Sequence, residues 1–229
     1  MFLIGGGAEP DAVRASHAPF VAATAGGPIT AFVLDEGVDT DADRYVAALR
    51  LAGAGEVRAV VVSPERPPAA ADVAGATGVF VAGGWTPGYQ EALVGTGTDW
   101  LPRDRPYAGY SAGAAIAASD AIVGGHRRDD GRDVGAEEAA EDLVPLTVRP
   151  GLGLVPFAVD VHATQWGTLT RLVHAVDAGL VAEGWAVDNG TVLVAGDGPP
   201  RVEGLGSAYH VTRADGRLGI AVVRATTPG

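Results

Sequence analysis

Short apolar runs rich in Val, Ile, Phe and Tyr alternate with Ala-rich stretches of helical period over the first two-thirds of the chain. Phe2–Ile4 reads as a strand ending in Gly5-Gly6-Gly7. Pro10–Ala23 reads as a helix, with a break or kink expected at Pro19, which lacks an N–H. Ile29–Leu34 reads as a strand and 41–51 as a helix, with Asp39 or Thr40 as its N-cap. Val57–Val62 is almost continuously apolar, the pattern of a strand covered on both faces. Further strands are expected at 79–82 and Tyr107–Tyr110, with a short helix at 89–94 between them. Such alternation predicts βα units, a mostly parallel sheet and helices on both its faces.

The last third has a different rhythm. A strand at 157–161 and a helix at 169–178 precede short apolar runs at 185–187, 191–195, 201–202, 208–211 and 219–224. Gly, Asp, Asn and Pro pairs separate these runs, which predicts a β-hairpin-rich edge. The expected architecture is a three-layer α/β sandwich, one domain spanning 1–229. Residues 126–142 stand apart: ten of the seventeen are charged and few are bulky and apolar. They are expected to form a solvated, flexible loop or a flap beside a site.

Composition narrows the function. Apolar residues make up 47% of the chain and charged residues 19%, so a packed core is expected. The net charge is −12 and no window carries a basic stripe, which argues against nucleic acid and anionic membranes as partners. No apolar run approaches the ~20 residues of a membrane helix. The first residues lack the pattern of a secretory leader, so a cytoplasmic location is expected. With no Cys, thiolate nucleophiles, disulfides and zinc–thiolate sites are excluded. All 16 basic residues are Arg, so no Lys can serve as base or Schiff-base former.

The strongest local motif is Gly109-Tyr110-Ser111-Ala112-Gly113, a G-x-S-x-G run between an apolar strand and a helix of small residues. A nucleophile elbow needs this context, because the turn is strained and the flanking positions tolerate little more than glycine. Ser111 then stands at the carboxyl end of a strand, where backbone N–H groups can receive a developing oxyanion. Gly83-Gly84 follows a second buried strand and is either a second oxyanion donor or a simple tight turn. Of the five histidines, His162 directly follows an apolar strand and is the best candidate base; His17, His126, His174 and His210 sit in less suitable places. A carboxylate should orient the far ring nitrogen, and Asp120, Asp129, Asp130, Asp133 and Asp160 all stay open.

Taken in order, these motifs resemble the Ser peptidases of the dipeptidase E and cyanophycinase type, whose fold is similar to class I glutamine amidotransferases. Leu3-Ile4-Gly5-Gly6-Gly7, Phe80-Val81-Ala82-Gly83-Gly84 and Gly109-Tyr110-Ser111-Ala112-Gly113-Ala114 each resemble a family motif. So do Gly151-Leu152-Gly153-Leu154 with Asp160-Val161-His162, Arg171-Leu172, and Gly184-Trp185-Ala186-Val187-Asp188-Asn189-Gly190-Thr191. The resemblance implies Ser111 as nucleophile, His162 as general base, and Gly84 and Ala112 as the oxyanion hole. It implies Asp129 as third triad member, with Asp130 next, and Trp85, Arg171 and Asp160 at the substrate. It further implies amide cleavage in a small peptide, next to an acidic or β-aspartyl residue, with no metal or cofactor, and a homodimer. Departures lie around the pocket: Val161 stands where the cyanophycinase pattern has Gln, Gln165 to Thr168 replace Arg-rich positions, and Trp85 follows the Gly pair.

Two other readings compete. An α/β-hydrolase esterase shares G-x-S-x-G and would use Ser111 with Asp188 or Asp197 and His210, but no HGGG-type turn is present. A binding protein that kept the fold and lost activity would account for Trp85 and Val161.

Overall fold

The computed structural model describes residues 1–226. Its centre is a seven-stranded sheet built from β1 (Phe2–Ile4), β2 (Ile29–Leu34), β3 (Val57–Val62), β4 (Gly78–Val81), β5 (Tyr107–Tyr110), β10 (Thr191–Val194) and β11 (Arg201–Gly204). The order is β11-β10-β1-β5-β4-β2-β3. The five strands from β1 to β3 are mutually parallel, and β10 and β11 add an antiparallel edge. Every residue of β1, β2 and β4 is buried, so both faces of the sheet are covered there. Helices α1 (Pro10–Ala23) and α2 (Ala42–Leu51) pack together, and α3 (Thr86–Val94) packs with α4 (Ala112–Ala115). The expected α/β architecture, with a mostly parallel central sheet and antiparallel strands at its C-terminal edge, is the one observed.

Two further strand systems complete the fold. Strands β8 (Ala158–Val161), β9 (Gly184–Val187), β12 (Ser207–Ala214) and β13 (Arg217–Arg224) form a four-stranded sheet. Within it β8 and β9 are parallel, and α5 (Thr168–Asp177) packs across it. Strands β6 (Asp120–Gly124) and β7 (Thr147–Pro150) pair as a hairpin whose long connection is the charged segment.

Several local expectations need correction. The helix α1 runs through Pro19 without a break. Asp41, not Asp39 or Thr40, caps α2: its Oδ1 accepts the Arg44 N–H at 3.0 Å. β3 is the sheet's edge strand and is only partly buried, so its apolar run covers one face. The β6–β7 pair was not anticipated, because Pro150 and Arg149 in β7 obscure the strand pattern.

The cap yields a simple test. Asp41→Ala removes the acceptor for an otherwise unpaired helix-terminal N–H. It is expected to lower stability by about 1 kcal/mol, read from the urea midpoint, while Asp39→Ala changes little.

Candidate active site

The carboxyl ends of β1, β4, β5, β8 and β9 converge, although they belong to two sheets. The meeting point is the end of β1. The Ile4 carbonyl accepts the Ser111 N–H at 2.9 Å, and the next carbonyl, Gly5, accepts the His162 N–H at 2.9 Å. Two neighbouring backbone oxygens thus fix two residues that lie 51 positions apart. Gly6 (φ +119°) passes so close to the imidazole that an added Cβ would lie 2.2 Å from His162 Cε1.

Ser111 has φ +51° and ψ −113°, a conformation that L residues adopt only under constraint. The glycines around it are dictated by packing. A Cβ on Gly109 would fall 2.2 Å from the Gly113 carbonyl oxygen, and one on Gly113 would fall 2.3 Å from that of Val81. The Tyr107 hydroxyl donates to the same Gly113 oxygen at 2.7 Å. Held in this turn, Ser111 Oγ lies 2.9 Å from His162 Nε2. His162 also has positive φ, +56°.

The other ring nitrogen, Nδ1, donates to Asn189 Oδ1 at 2.6 Å. Asn189 is itself held, since its backbone N–H donates to Gln165 Oε1 at 2.9 Å. Trp166 stacks on the imidazole with ring centroids 3.7 Å apart. Burial pushes the His162 pKa below the ordinary histidine value, opposed by the Asn189 bond and the charge of Asp160. The ring is therefore neutral at pH 7, with Nε2 free to take a proton from Ser111.

Asp129 does not complete this arrangement. It is exposed on the turn after Arg128, and the ring's two hydrogen bonds go to Ser111 and Asn189. Asp130 and Asp133 face Arg128 and Arg127, and Asp120 is exposed at the start of β6. Sequence reasoning missed Asn189. Its signal is an Asn-Gly pair one residue beyond β9, a strand of the same sheet as β8, but an Asn-Gly pair is also the ordinary composition of a turn. Asp188, beside it, is buried and accepts from Thr164 and Ser207, so it braces the loop that follows His162.

Arg171 and Asp160 are also placed differently from expectation. Arg171 is 6% exposed and forms a bidentate pair with Asp160, at 2.9 and 2.7 Å. Its third bond goes to the Ala139 carbonyl at 2.6 Å. Burial, the largest single influence, lowers the guanidinium pKa, but the Asp160 charge, its hydrogen bonds and the Glu141 charge together outweigh it and the pKa is raised. Neither side chain is free to meet a substrate; together they anchor the charged segment. Glu141 fastens the same segment from the other side, accepting from the Thr86 N–H at 3.1 Å and the Thr86 hydroxyl at 3.0 Å. Trp85 Nε1 donates to the Glu141 carbonyl at 3.2 Å. Residues 137–142 thereby form one wall of a cavity of about 680 Å³ that contains Ser111, His162, Trp85 and Trp166.

Gly83 and Gly84 lie beside Ser111: a Cβ on Gly83 would be 2.9 Å from that of Ser111. The Gly83 carbonyl accepts from Tyr45 Oη at 2.5 Å and Tyr89 Oη at 3.2 Å. In a trans peptide the following N–H points the opposite way, so the tyrosines also fix the direction of the Gly84 N–H. The esterase arrangement is not assembled. His210 pairs with Glu183 at 2.8 Å and stacks on Trp185, away from the cavity.

Comparison with known proteins adds the fold. No protein-family model and no curated protein sequence matches the chain. Among solved structures, it is similar to a peptidase from an acI-B1 Actinobacterium, with TM-score 0.67 and 14% identity over 98% of this chain and 93% of that one. It is also similar to a protein from Listeria monocytogenes EGD-e proposed to be a peptidase E, with TM-score 0.54 and 17% identity over 98% of each chain. At these identities the likeness establishes a shared architecture. Among the described residues, no helix is long and apolar enough to cross a membrane.

The buried pair can be tested directly. Arg171→Met leaves Asp160 uncompensated and frees the Ala139 carbonyl, and is expected to cost about 3–5 kcal/mol in urea denaturation. Adding Asp160→Asn to it should restore part of that loss. Asp129→Ala should stay within about 0.5 kcal/mol of wild type.

Proposed function

We propose that the protein is a serine-type hydrolase that cleaves an amide bond in a small peptide, using Ser111 as nucleophile, His162 as general base and Asn189 to orient His162. The observation that carries this reading is the Ser111 Oγ to His162 Nε2 contact of 2.9 Å, made by a serine held at φ +51°. A serine in that conformation is costly, and such strain clusters where a side chain must be presented to a substrate. The folds of the two similar structures, one named a peptidase and one proposed to be a peptidase E, support the same class.

The chemistry follows from the geometry. His162 Nε2 takes the Ser111 proton as Oγ attacks the carbonyl carbon. The tetrahedral oxyanion is received by the Gly84 and Ala112 N–H groups, each worth on the order of 3 kcal/mol of barrier. The imidazolium then protonates the leaving amine, and water releases the acyl group by the reverse proton route. Asn189 fixes the tautomer that leaves Nε2 unprotonated. As a neutral amide it stabilises the imidazolium less than a carboxylate does, so the base stays weak.

The test combines labelling with pH. A fluorophosphonate should add once to wild type and not to Ser111→Ala or His162→Ala; a folded wild type left unlabelled sinks the assignment. Asn189→Ala should lower turnover on the order of 10²-fold, whereas Asp129→Ala should not change it. The base must be neutral to act, so kcat/KM falls as pH drops through the His162 pKa. Burial lowers that pKa, so the acid limb should lie below the ~6.5 of free histidine. Asn189→Asp places a carboxylate against Nδ1–H, favours the imidazolium, and should move the limb upward.

A further inference from the structure

The charge of the cavity wall is opposite to what an acidic substrate needs. Five carboxylates line the cavity, those of Glu36, Glu137, Glu138, Glu141 and Asp142, against one guanidinium, Arg44. Glu141 is occupied by Thr86 and belongs to the scaffold. Glu36 uses Oε1 to accept the Trp85 N–H at 2.8 Å, which leaves Oε2. Glu137, Glu138 and Asp142 are exposed and make no ion pair among the described residues. Arg44 lies over the Tyr45 ring, 4.5 Å from its centroid, and donates to Tyr45 Oη at 2.6 Å.

An independent feature has the same polarity. His17 is 1% exposed yet lines the cavity. Its Nδ1 lies 3.0 Å from the Val13 carbonyl, an acceptor only, so Nδ1 carries the proton and Nε2 carries a lone pair. Nε2 has no partner among the described residues, and it is not one of the polar atoms sealed from solvent. Burial pushes the His17 pKa down to about 4, so the ring stays neutral at pH 7. A buried acceptor opening on the cavity is matched by a ligand N–H donor.

Building on the hydrolase reading, we infer that this cavity selects a substrate bearing a cationic nitrogen group, an ammonium or guanidinium, held by the carboxylates of the 137–142 wall and Glu36, with His17 Nε2 as a neutral acceptor. The group comes either from a basic side chain or from a free peptide amino terminus. The Arg171–Asp160 pair contributes as a positioning element, since its bond to the Ala139 carbonyl holds the turn that carries Glu137 and Glu138. This selectivity is the reverse of the acidic preference that the sequence resemblance implies.

The experiment separates binding from turnover by using the full chain with Ser111→Ala, titrated calorimetrically with four tripeptide amides. These are acetyl-Ala-Arg-Ala, acetyl-Ala-citrulline-Ala, acetyl-Ala-Glu-Ala, and Ala-citrulline-Ala with its amine free. A cationic peptide, through its side chain or its amine, should bind about tenfold more tightly than acetyl-Ala-citrulline-Ala. The glutamate peptide should bind most weakly. Which cationic peptide gains identifies the source of the group. The advantage should shrink with added salt and in Glu137→Gln/Glu138→Gln, and persist in Glu56→Gln, a remote exposed site. Equal affinities for all four, tightest binding of the glutamate peptide, or no binding at all would overturn the inference. Fluorophosphonate labelling of wild type decides the hydrolase reading separately: labelling with equal affinities leaves a hydrolase without cation selectivity.

Discussion

Two adjacent carbonyl oxygens, those of Ile4 and Gly5, hold the site together. One takes the N–H of Ser111 from the central sheet, and the other takes the N–H of His162 from the four-stranded sheet. Backbone hydrogen bonds of this kind are directional and buried, so the separation of the two side chains is set by a short stretch of extended chain rather than by flexible loops. The same segment continues the seam: the Gly5 N–H donates to the Thr191 carbonyl, and the Gly6 carbonyl accepts from Gly190, next to Asn189. The close approach leaves no room for side chains, which accounts for three glycines in succession at the end of β1.

Backbone and side-chain requirements differ in how clearly they mark a sequence. The parallel strands were legible because β1, β2 and β4 are buried along their whole length and leave unbroken apolar runs. The elbow was legible because its steric demands admit only glycine at positions 109 and 113. His162 could be placed because it follows a strand directly. The third member could not, since the residue that meets Nδ1 arrives from another strand 27 positions later, and nothing local distinguishes it from a turn asparagine. Arg171 and Asp160 show the converse. A lone Arg on an amphipathic helix gives no sign of whether it faces solvent, substrate or a buried carboxylate; only the meeting of α5 with β8 decides that.

The charged segment gains its meaning from the same meeting. Its composition suggests a solvated excursion, and residues 129–133 are indeed exposed. Yet Arg171 holds it at Ala139 and Thr86 holds it at Glu141, two residues apart at the end of a short turn. Sequence shows the charge of such a segment but not its anchors, because each anchor comes from a distant element. Position, rather than composition, turns surface carboxylates into part of a cavity wall.

Ser111 and His162 both have positive φ, where glycine is comfortable and other residues are not. The folding energy of the chain and its chemistry therefore pull in opposite directions at the same two positions. A glycine at 111 would relax the elbow while erasing the proposed nucleophile. For a lineage released from the need for this reaction, the loss is energetically downhill. Under the proposed chemistry, the serine at 111 is held at the expense of backbone comfort.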